Sequence, residues 1–539
     1  MRKLLIISLL ASFTTAAKAE LKVWPHPYLK PMKWEEPCPA MPGKKIDLRT
    51  TPGEYEPAAF AVRSDKPASV TVALSGLKGS DRLPASWCEL HKIVSLKQDT
   101  RPNRLFEFSG PVELEPERSR FFWITVRPPE DTKPGIYAGR LLVKSGASTR
   151  ELEIECEVLP FHLEESPITG GAFMWLIDLP PGWYQDMKEH GVDAIQFFTW
   201  EWAIRPMEHD RSEWAWEVSP IKMFRRGEKI VFDFSVMDRI MADQTASGMK
   251  GPVVISLGND HHLFYECRIA EEFGIPIDTS EAIGRKRIIA PAVSPKLDSL
   301  FVEGLRQLRD HWQAKAYPQE LVILIYDEPT ERLLERCKHR YDLLKTVMPD
   351  TRVYGVVMDR RAWAESMLDQ MDIIVANGDF EECKKLATRY DKGYWIYSGV
   401  REVHAARYGK GFLPWRVGAQ GTFFWMYNYW FYNPDGCAVY MHPEDPNKIV
   451  RSTVWEGIRE GMDDLRYLAT AEKLLDRAPE RENINALRSR LQEVRNSIDP
   501  ERRTSPRGEE DLDEQAKLKF YNEPARLRDE VIEIILDLP

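Results

Sequence analysis

The sequence predicts a multidomain fold: an N-terminal antiparallel β-sandwich, a (β/α)8 TIM-type barrel and a small C-terminal helical region. Three observations lead to it. The 539 residues exceed one ordinary domain. Between residues 21 and 160, short alternating segments are broken by proline and glycine, which is typical of a sandwich. After residue 167, eight candidate strands alternate with helical stretches, and eight strands close a barrel. We place the sandwich at 20–165, the barrel at 166–475 and the helical extension at 476–539.

The first nineteen residues have the pattern of a cleavable secretory signal peptide. Arg2 and Lys3 precede a short apolar run at residues 4–11, and Ala17 and Ala19 form a small-residue cleavage site. No later apolar run is long enough to span a bilayer. We therefore expect a mature chain that starts near Glu20 and is secreted or periplasmic.

Charge and cysteine usage exclude several classes of partner. The formal charge is -10 with acids and bases interspersed, which argues against a nucleic-acid surface. The seven cysteines are widely spaced, and no pair has metal-ligand spacing. His261 and His262 beside Asp260 match no ligand set, so loop polarity is the favoured interpretation. We expect neither a metal nor a cofactor.

The barrel strands are predicted at 170–178, 194–202, 251–258, 321–328, 351–358, 372–378, 393–399 and 421–430. Helices are predicted at 297–314 and 330–347, on either side of the fourth strand. The eighth barrel helix is predicted to begin near Ile449, and two amphipathic helices follow at 482–497 and 513–536.

The fourth strand is the centre of the functional prediction. Residues 321–325 are all aliphatic, which is typical of a strand buried on both faces in a parallel sheet. The run leads into Asp327 and Glu328, and Pro329 then removes a backbone donor. Barrel enzymes place their chemistry at the carboxyl ends of their strands. Asp327 and Glu328 are therefore the predicted catalytic residues.

The other strand ends combine aromatic rings with amides and acids. Rings can stack on the CH faces of a sugar, and polar groups can bind its hydroxyls. We predict a glycan substrate, with contacts from Trp175, Trp200, Glu201, Tyr326, Asn377, Tyr397, Trp425, Tyr427, Asn428 and Trp430.

The pair of adjacent acids suggests a particular reaction. A glycosidase commonly uses an acid and a separate carboxylate nucleophile, but the seventh strand ends in Tyr397 and Ser398. In the alternative, the substrate's own 2-acetamido oxygen attacks the anomeric carbon. Glu328 would then protonate the leaving oxygen and later activate water, while Asp327 would accept the acetamido N–H. Two carboxylates this close also raise the pKa of one of them.

The chain resembles glycoside hydrolase family 123. The matching motifs are Gly53-Glu54-Tyr55-Glu56-Pro57, Lys133-Pro134-Gly135-Ile136-Tyr137, Tyr326-Asp327-Glu328-Pro329, the strand at 421–430 and Arg459-Glu460-Gly461-Met462-Asp463-Asp464. The resemblance implies a retaining β-N-acetylgalactosaminidase with a β-sandwich ahead of its barrel. It also implies the acid/base role of Glu328, the acetamido-orienting role of Asp327 and sugar contacts near Trp425, Tyr427 and Asn428.

Two other functions also fit the sequence. One is a non-catalytic carbohydrate-binding or surface scaffold protein. The other is a glycosidase for a sugar without an acetamido group, which would need a second acid such as Glu201 or Asp178. Among the charged residues elsewhere, we expect His404 and Arg407 to be solvated. Arg459 is predicted to pair with Asp463 within one helix.

Overall fold

The computed structural model describes residues 19–80, 82–95, 102–175, 179–198, 220–259, 262–281, 287–329, 331–358, 365–399, 401–428, 437–502 and 512–538. The chain forms two compact units. The first comprises the described parts of residues 1–26, 32–93 and 107–160. The second comprises residues 27–31, 94–106 and the described chain from 161 onward.

The first unit is a sandwich of two sheets, and its strands follow the short alternating segments of the sequence. One sheet contains the neighbours β1 (Leu21–His26), β3 (Glu56–Ser64), β10 (Ser119–Val126) and β7 (Cys88–Val94). The other has the order β2 (Lys45–Thr50), β12 (Ser148–Val158), β11 (Gly135–Ser145), β4 (Ala68–Leu74) and β9 (Val112–Leu114), with β5 (Leu77–Lys78) and β6 (Arg82–Leu83) at its side.

Apolar residues from both sheets form the core of the sandwich. The rings of Phe60 and Phe122 stack there with centroids 4.9 Å apart. The pairing is antiparallel between the described strands of this unit, as predicted, with the exception of β2 and β12, which run parallel. The sandwich predicted from alternation is therefore confirmed, with one parallel pair.

The second unit contains a closed barrel of eight parallel strands, which confirms the predicted fold class. All eight predicted segments contain a strand. In barrel order these are β13 (Thr169–Phe173), β14 (Val192–Phe198), β17 (Val253–Ser256), β20 (Leu321–Leu324), β21 (Arg352–Met358), β22 (Ile373–Asn377), β23 (Gly393–Gly399) and β24 (Gly421–Trp425). We number them one to eight below.

In the described part of the chain, three antiparallel hairpins accompany the barrel. Two precede helices on the way to the next barrel strand, and the third follows strand eight. They are β15 (Lys222–Arg226) with β16 (Lys229–Asp233), β18 (Ile277–Glu281) with β19 (Arg287–Pro291), and β25 (Val439–His442) with β26 (Asp445–Arg451). The short strand β8 (Arg104–Phe106) also belongs to this unit.

Alternate residues of the barrel strands fill its interior with large side chains, among them Tyr354, Trp395 and Phe423. Strand one, in contrast, has two glycines, Gly170 and Gly171, directly after its first residue. A Cβ added at Gly171 would lie 2.4 Å from the ring of Phe423. Glycine at this position is therefore required by the close approach of strand eight.

The described helices of the second unit are α1 (Pro181–Glu189), α2 (Ser235–Ala246), α3 (Phe264–Phe273), α4 (Pro295–Lys315), α5 (Leu334–Val347), α6 (Phe380–Arg389), α7 (Val403–Lys410), α8 (Phe412–Val417), α9 (Thr453–Arg477), α10 (Glu482–Ser497) and α11 (Glu514–Leu536). Helix α9 begins four residues later than predicted, because Ile449 lies in β26. Its N-cap is Ser452, whose hydroxyl accepts a hydrogen bond of 3.0 Å from Trp455 N. Within the described part of the chain, no helix combines the length and apolarity needed to cross a membrane.

The expected solvation of His404 and Arg407 is wrong. Both are buried. Arg407 donates to both carboxylate oxygens of Asp464 at 2.8 and 2.9 Å, and Arg528 binds the same carboxylate. The sequence places these charges on three separate helices, α7, α9 and α11, and only folding brings them together. Buried opposite charges then neutralise one another.

The predicted pair of Arg459 with Asp463 is also wrong. Arg459 binds Glu456, and Asp463 instead accepts from Arg466 at 3.0 Å. The helical spacing allowed either partner, since residues three and four apart both face one another.

Lys410 provides a testable pH dependence. It is buried, and its Nζ donates a hydrogen bond to the carbonyl of Phe423 in strand eight. Burial lowers the pKa of Lys410 well below its usual 10.5. Between the lowered pKa and 10.5, the unfolded chain binds a proton that the native chain does not, so native stability falls as pH falls. We expect Lys410→Met to raise Tm at pH 6 by roughly 1–2 °C, which corresponds to about 1 kcal/mol for a unit of this size.

This effect is measured by thermal unfolding between pH 6 and pH 10. The stabilisation should shrink toward pH 10, because the penalty on the wild-type lysine disappears there. Lys385→Met, which replaces a lysine whose side chain is 69% exposed, is the matched control. A stabilisation by Lys410→Met that is independent of pH would contradict the lowered pKa of Lys410.

Candidate active site

The two predicted catalytic acids lie at the carboxyl end of strand four. Regular strand structure ends at Leu324, but the chain makes one more contact with strand three. Asp327 N donates to Gly258 O at 2.9 Å, and Asp327 forms a parallel bridge with Asn259. This bridge fixes the backbone of Asp327 at the rim of the barrel, where barrel enzymes carry their chemistry.

Glu328 has an unusual backbone conformation. Its φ is +48°, in the left-handed region that side-chain-bearing residues rarely adopt. Such a conformation costs on the order of 1–3 kcal/mol and persists where the surrounding structure enforces it, often at functional sites. The side chain is half-buried and accepts a hydrogen bond of 3.1 Å from Asn377 Nδ2, at the end of strand six. The fold thus brings predicted residues Asn377 and Glu328 together.

Two buried tyrosines lie near the acid pair. Burial raises the pKa of Tyr397 and of Tyr354 well above the usual range, and the negative charge of Asp327 adds to both effects. Both phenols therefore stay protonated and can donate. Tyr354 donates to Gln196 Oε1 at 3.2 Å, inside the barrel. Tyr397 was predicted for this site, whereas Tyr354 and Gln196 were not.

An aromatic wall, which we define as Phe173, Trp175, Phe198 and Trp425, occupies the ends of strands one, two and eight. The ring centroids of Phe173 and Trp425 are 4.4 Å apart, and those of Trp175 and Phe198 are 5.8 Å apart. Trp175, Phe198 and Trp425 remain partly exposed. Strands four and eight are four places apart in an eight-stranded barrel, so the acids and Trp425 are on opposite sides of its mouth.

Asn428 and the chain around it support this wall. The peptide bond between Trp425 and Met426 is cis. Asn428 is buried, and its Oδ1 accepts a hydrogen bond of 3.0 Å from Trp175 N. Asn428 therefore holds strand one to the chain beyond strand eight.

Tyr326 and Tyr427 are placed differently from the other predicted contacts. Tyr326 is buried, and its hydroxyl donates to Glu266 on α3. Tyr427 is fully buried, and its ring contacts Trp183 and Trp455 on α1 and α9. Both rings therefore face helices rather than the acid pair, and their role as substrate contacts stays a prediction that this placement does not favour.

Several predicted residues lie outside the described residues: Asp178, Trp200, Glu201 and Trp430, and also Asp260 and His261 of the loop after strand three. Their roles stay predictions. Within the ranges that the structure describes, no three histidine, cysteine, aspartate or glutamate side chains are grouped as a metal site would require. The seven cysteines, all of them described, form no disulfide.

The residues that the sequence reasoning missed carried weak local signals. Phe173 and Phe198 share the strand periodicity of two with Trp175 and Gln196, so alternation could have indicated them. Gln196 is a polar residue within the apolar stretch 194–198, which is a sign of an interior hydrogen bond. Glu266 had no such signal, because its partners are distant in sequence.

A parallel eight-stranded barrel whose fourth strand ends in two carboxylates, opposite an aromatic wall, is the architecture of a barrel enzyme. Comparison with known families agrees. The family model for the glycoside hydrolase 123 catalytic domain matches residues 182–471, more than half of the chain. The chain therefore belongs to glycoside hydrolase family 123 and is a glycoside hydrolase. No curated protein sequence matches it.

Solved structures support the fold. A family 123 glycoside hydrolase from Clostridium perfringens matches with a TM-score of 0.73 and 14% identity, over 96% of this chain and 99% of that chain. A family 2 β-galacturonidase from Eisenbergiella tayi matches at a TM-score of 0.32 and 13% identity, over 76% of this chain and 69% of that chain. A family 5 mannosidase from Rhizomucor miehei matches at 0.37 and 13%, over 59% and 96%. The last two similarities are too low to carry an argument.

Proposed function

We propose that this glycoside hydrolase is exported and removes terminal β-linked N-acetylhexosamine, N-acetylgalactosamine before others, with retention and by substrate-assisted catalysis. The observation that carries the proposal is the placement of two consecutive acids, Asp327 and Glu328, at the rim of strand four. The structure of the Clostridium perfringens enzyme was analysed for glycolipid glycan hydrolysis. Glycans of glycolipids are therefore candidate substrates of this chain too.

The surroundings of the acids support an internal nucleophile. Strand seven ends in Tyr397, Ser398 and Gly399, and strand eight ends in Trp425. Neither of these strand ends offers a carboxylate to attack the anomeric carbon. The substrate's 2-acetamido oxygen can do so instead, provided that a neighbouring group orients it.

Each acid then has its own task. In the first step, Glu328 gives its proton to the glycosidic oxygen as the C1–O bond breaks, and the acetamido oxygen bonds to C1. Asp327 accepts the acetamido N–H and stabilises the positive charge of the oxazolinium ion. In the second step, Glu328 takes a proton from water as that water attacks C1, and the acetamido group is restored. Two inversions at C1 give net retention.

The mature protein is tested on the p-nitrophenyl β-glycosides of N-acetylgalactosamine, N-acetylglucosamine and galactose. We expect hydrolysis of an acetamido sugar alone, N-acetylgalactosamine fastest, and the β-anomer as the product first seen by NMR. Equal hydrolysis of the galactoside would favour the alternative glycosidase without acetamido participation. An α-anomer as first product would contradict retention.

Export is tested separately. Expression of the full chain in a Gram-negative host should give a periplasmic or extracellular product, because residues 1–19 have the regions of a signal peptide. Mass spectrometry of the intact protein should place its N-terminus at Glu20. Cytoplasmic protein that retains Met1–Ala19 would contradict this proposal.

A further inference from the structure

We propose that Glu266 and Tyr326 together hold the loop of Asp327 and Glu328 in its strained conformation, and that Glu266 is a positioning residue for the acid Glu328. The catalytic consequence rests on the proposed function, in which Glu328 protonates the leaving group. Glu266 lies on α3, outside the barrel wall. It therefore acts through Tyr326, the residue that precedes the acid pair.

Glu266 is the centre of a buried network. It is 1% exposed. Its carboxylate accepts hydrogen bonds from the Tyr326 hydroxyl, from Arg336 and, at 2.6 Å, from Arg340 Nη2. Arg340 also donates to Asp298 Oδ1 at 2.5 Å. Two arginines and two carboxylates balance in charge, as burial requires.

The hydrogen bond from Tyr326 to Glu266, which we call the anchor, is supported by the protonation states of both residues. Burial alone would raise the pKa of Glu266, but the positive charges of Arg340 and Arg336 outweigh it and hold this pKa below its usual value. Burial, and then the Glu266 carboxylate, raise the pKa of Tyr326 well above its usual range. Tyr326 therefore stays protonated and donates a hydrogen bond to a charged acceptor, which makes this hydrogen bond a strong one.

This network joins the elements on both sides of the acid pair. Glu266 belongs to the helix that follows strand three, while Arg336 and Arg340 belong to the helix that follows strand four. Tyr326 lies on the catalytic loop itself. The loop is thus tied upstream by the phenol, and downstream the chain leads into the helix that supplies both arginines.

The strain at Glu328 explains why the anchor is needed. A φ of +48° is unfavourable for glutamate, so a released loop would return to commoner conformations. That return would rotate the Glu328 carboxylate away from the position in which it accepts from Asn377. The bridge of Asp327 to Asn259 constrains the backbone at one residue only, so the side-chain anchor at Tyr326 provides the second constraint.

Tyr326→Phe is the selective test, because it removes one hydroxyl and leaves the ion pairs of Glu266 intact. The variant and the wild type are compared on aryl β-glycosides of the same acetamido sugar, whose leaving phenols range from 2,4-dinitrophenol to 4-methylphenol. A poor leaving group needs the acid most. We expect kcat to fall about 10-fold for the methylphenyl glycoside, a fraction of the full effect of a general acid. KM and the rate on the dinitrophenyl glycoside should change little.

Tyr265→Phe is the matched control. Tyr265 is the neighbour of Glu266 on α3, is equally buried, and donates its hydroxyl to Phe301 O at 3.1 Å. Loss of its hydroxyl should leave the dependence on the leaving group as in the wild type. If Tyr326→Phe does not fold, Glu266→Gln serves instead, since it keeps an acceptor but removes its charge. Its kcat should depend on the leaving group more steeply than that of the wild type, but less steeply than expected for Tyr326→Phe.

A crystal structure of the folded variant gives a readout that does not depend on activity. We expect φ of Glu328 to leave the left-handed region or its side chain to lose Asn377. Unchanged geometry at both residues overturns the positioning role. A wild-type dependence on the leaving group in a folded Tyr326→Phe also overturns it, provided that Glu328→Gln is impaired. Full activity of Glu328→Gln would instead overturn the proposed function.

Discussion

Glu328→Gln is expected to lower kcat by about 10²–10⁴-fold on a glycan or alkyl glycoside, which is the usual contribution of a general acid or base. Glutamine has nearly the shape of glutamate but cannot give a proton to the glycosidic oxygen. The loss should be smaller on p-nitrophenyl glycosides, because p-nitrophenolate leaves without full protonation. Steady-state kinetics on both kinds of substrate measures the difference.

The matched control for this variant is Glu331→Gln. Glu331 is exposed and lies three residues further along the same segment, in a 3-10 turn. Its neutralisation changes the local charge equally but should leave kcat within about twofold, as is usual for a surface change. If Glu328→Gln hydrolysed the alkyl glycoside at the wild-type rate, Glu328 would not be the acid.

Asp327→Asn is expected to lower kcat on the acetamido substrate by about 10²–10³-fold, in the range seen when one preorganised charge-stabilising group is lost. An asparagine can still approach the acetamido group, but it carries no negative charge to stabilise the oxazolinium ion. KM should change little, since that charge is absent from the ground state. The variant thus separates stabilisation of the transition state from substrate binding.

A thiazoline analogue of the bicyclic intermediate sharpens this test. The analogue should bind the wild type more tightly than free N-acetylgalactosamine does, and Asp327→Asn should lose most of this preference. Asp350→Asn, at an exposed position at the opposite end of the barrel before strand five, is the control. An unaltered preference in Asp327→Asn would rule out the acetamido-orienting role.

Folding is not expected to account for the loss of activity in these variants. Asp327 and Glu328 are adjacent carboxylates, so neutralising either one reduces their mutual repulsion. Active sites often trade stability for function in this way. We therefore expect the Tm of both variants to equal or exceed that of the wild type.

The barrel could be predicted because its strands carry local signals. Residues 321–324, for example, are apolar without a break, which is the pattern of a strand covered on both faces. The ends of the strands were harder to predict. The predicted strand 421–430 extends beyond the observed β24, because aromatic residues continue past Trp425. Strand periodicity does not show where pairing stops.

The orientation of Tyr326 could not be predicted. Val322 and Leu324 point into the barrel, and alternation would send Tyr326 inward as well. The regular strand ends at Leu324, however, and the phenol turns outward to Glu266. A break of one residue in the ladder reverses the facing of every side chain beyond it.

By itself, the sequence determined the sandwich, the eight barrel strands and the position of two acids at the end of the fourth, because periodicity and adjacency are local properties of the chain. Tertiary structure alone decided which side chains meet: Asn377 with Glu328, Tyr326 with Glu266, and Arg407 with Asp464. These partners lie 49 to 60 residues apart. Hydrogen bonds and ion pairs between them depend on how whole elements pack, and no local pattern records that packing.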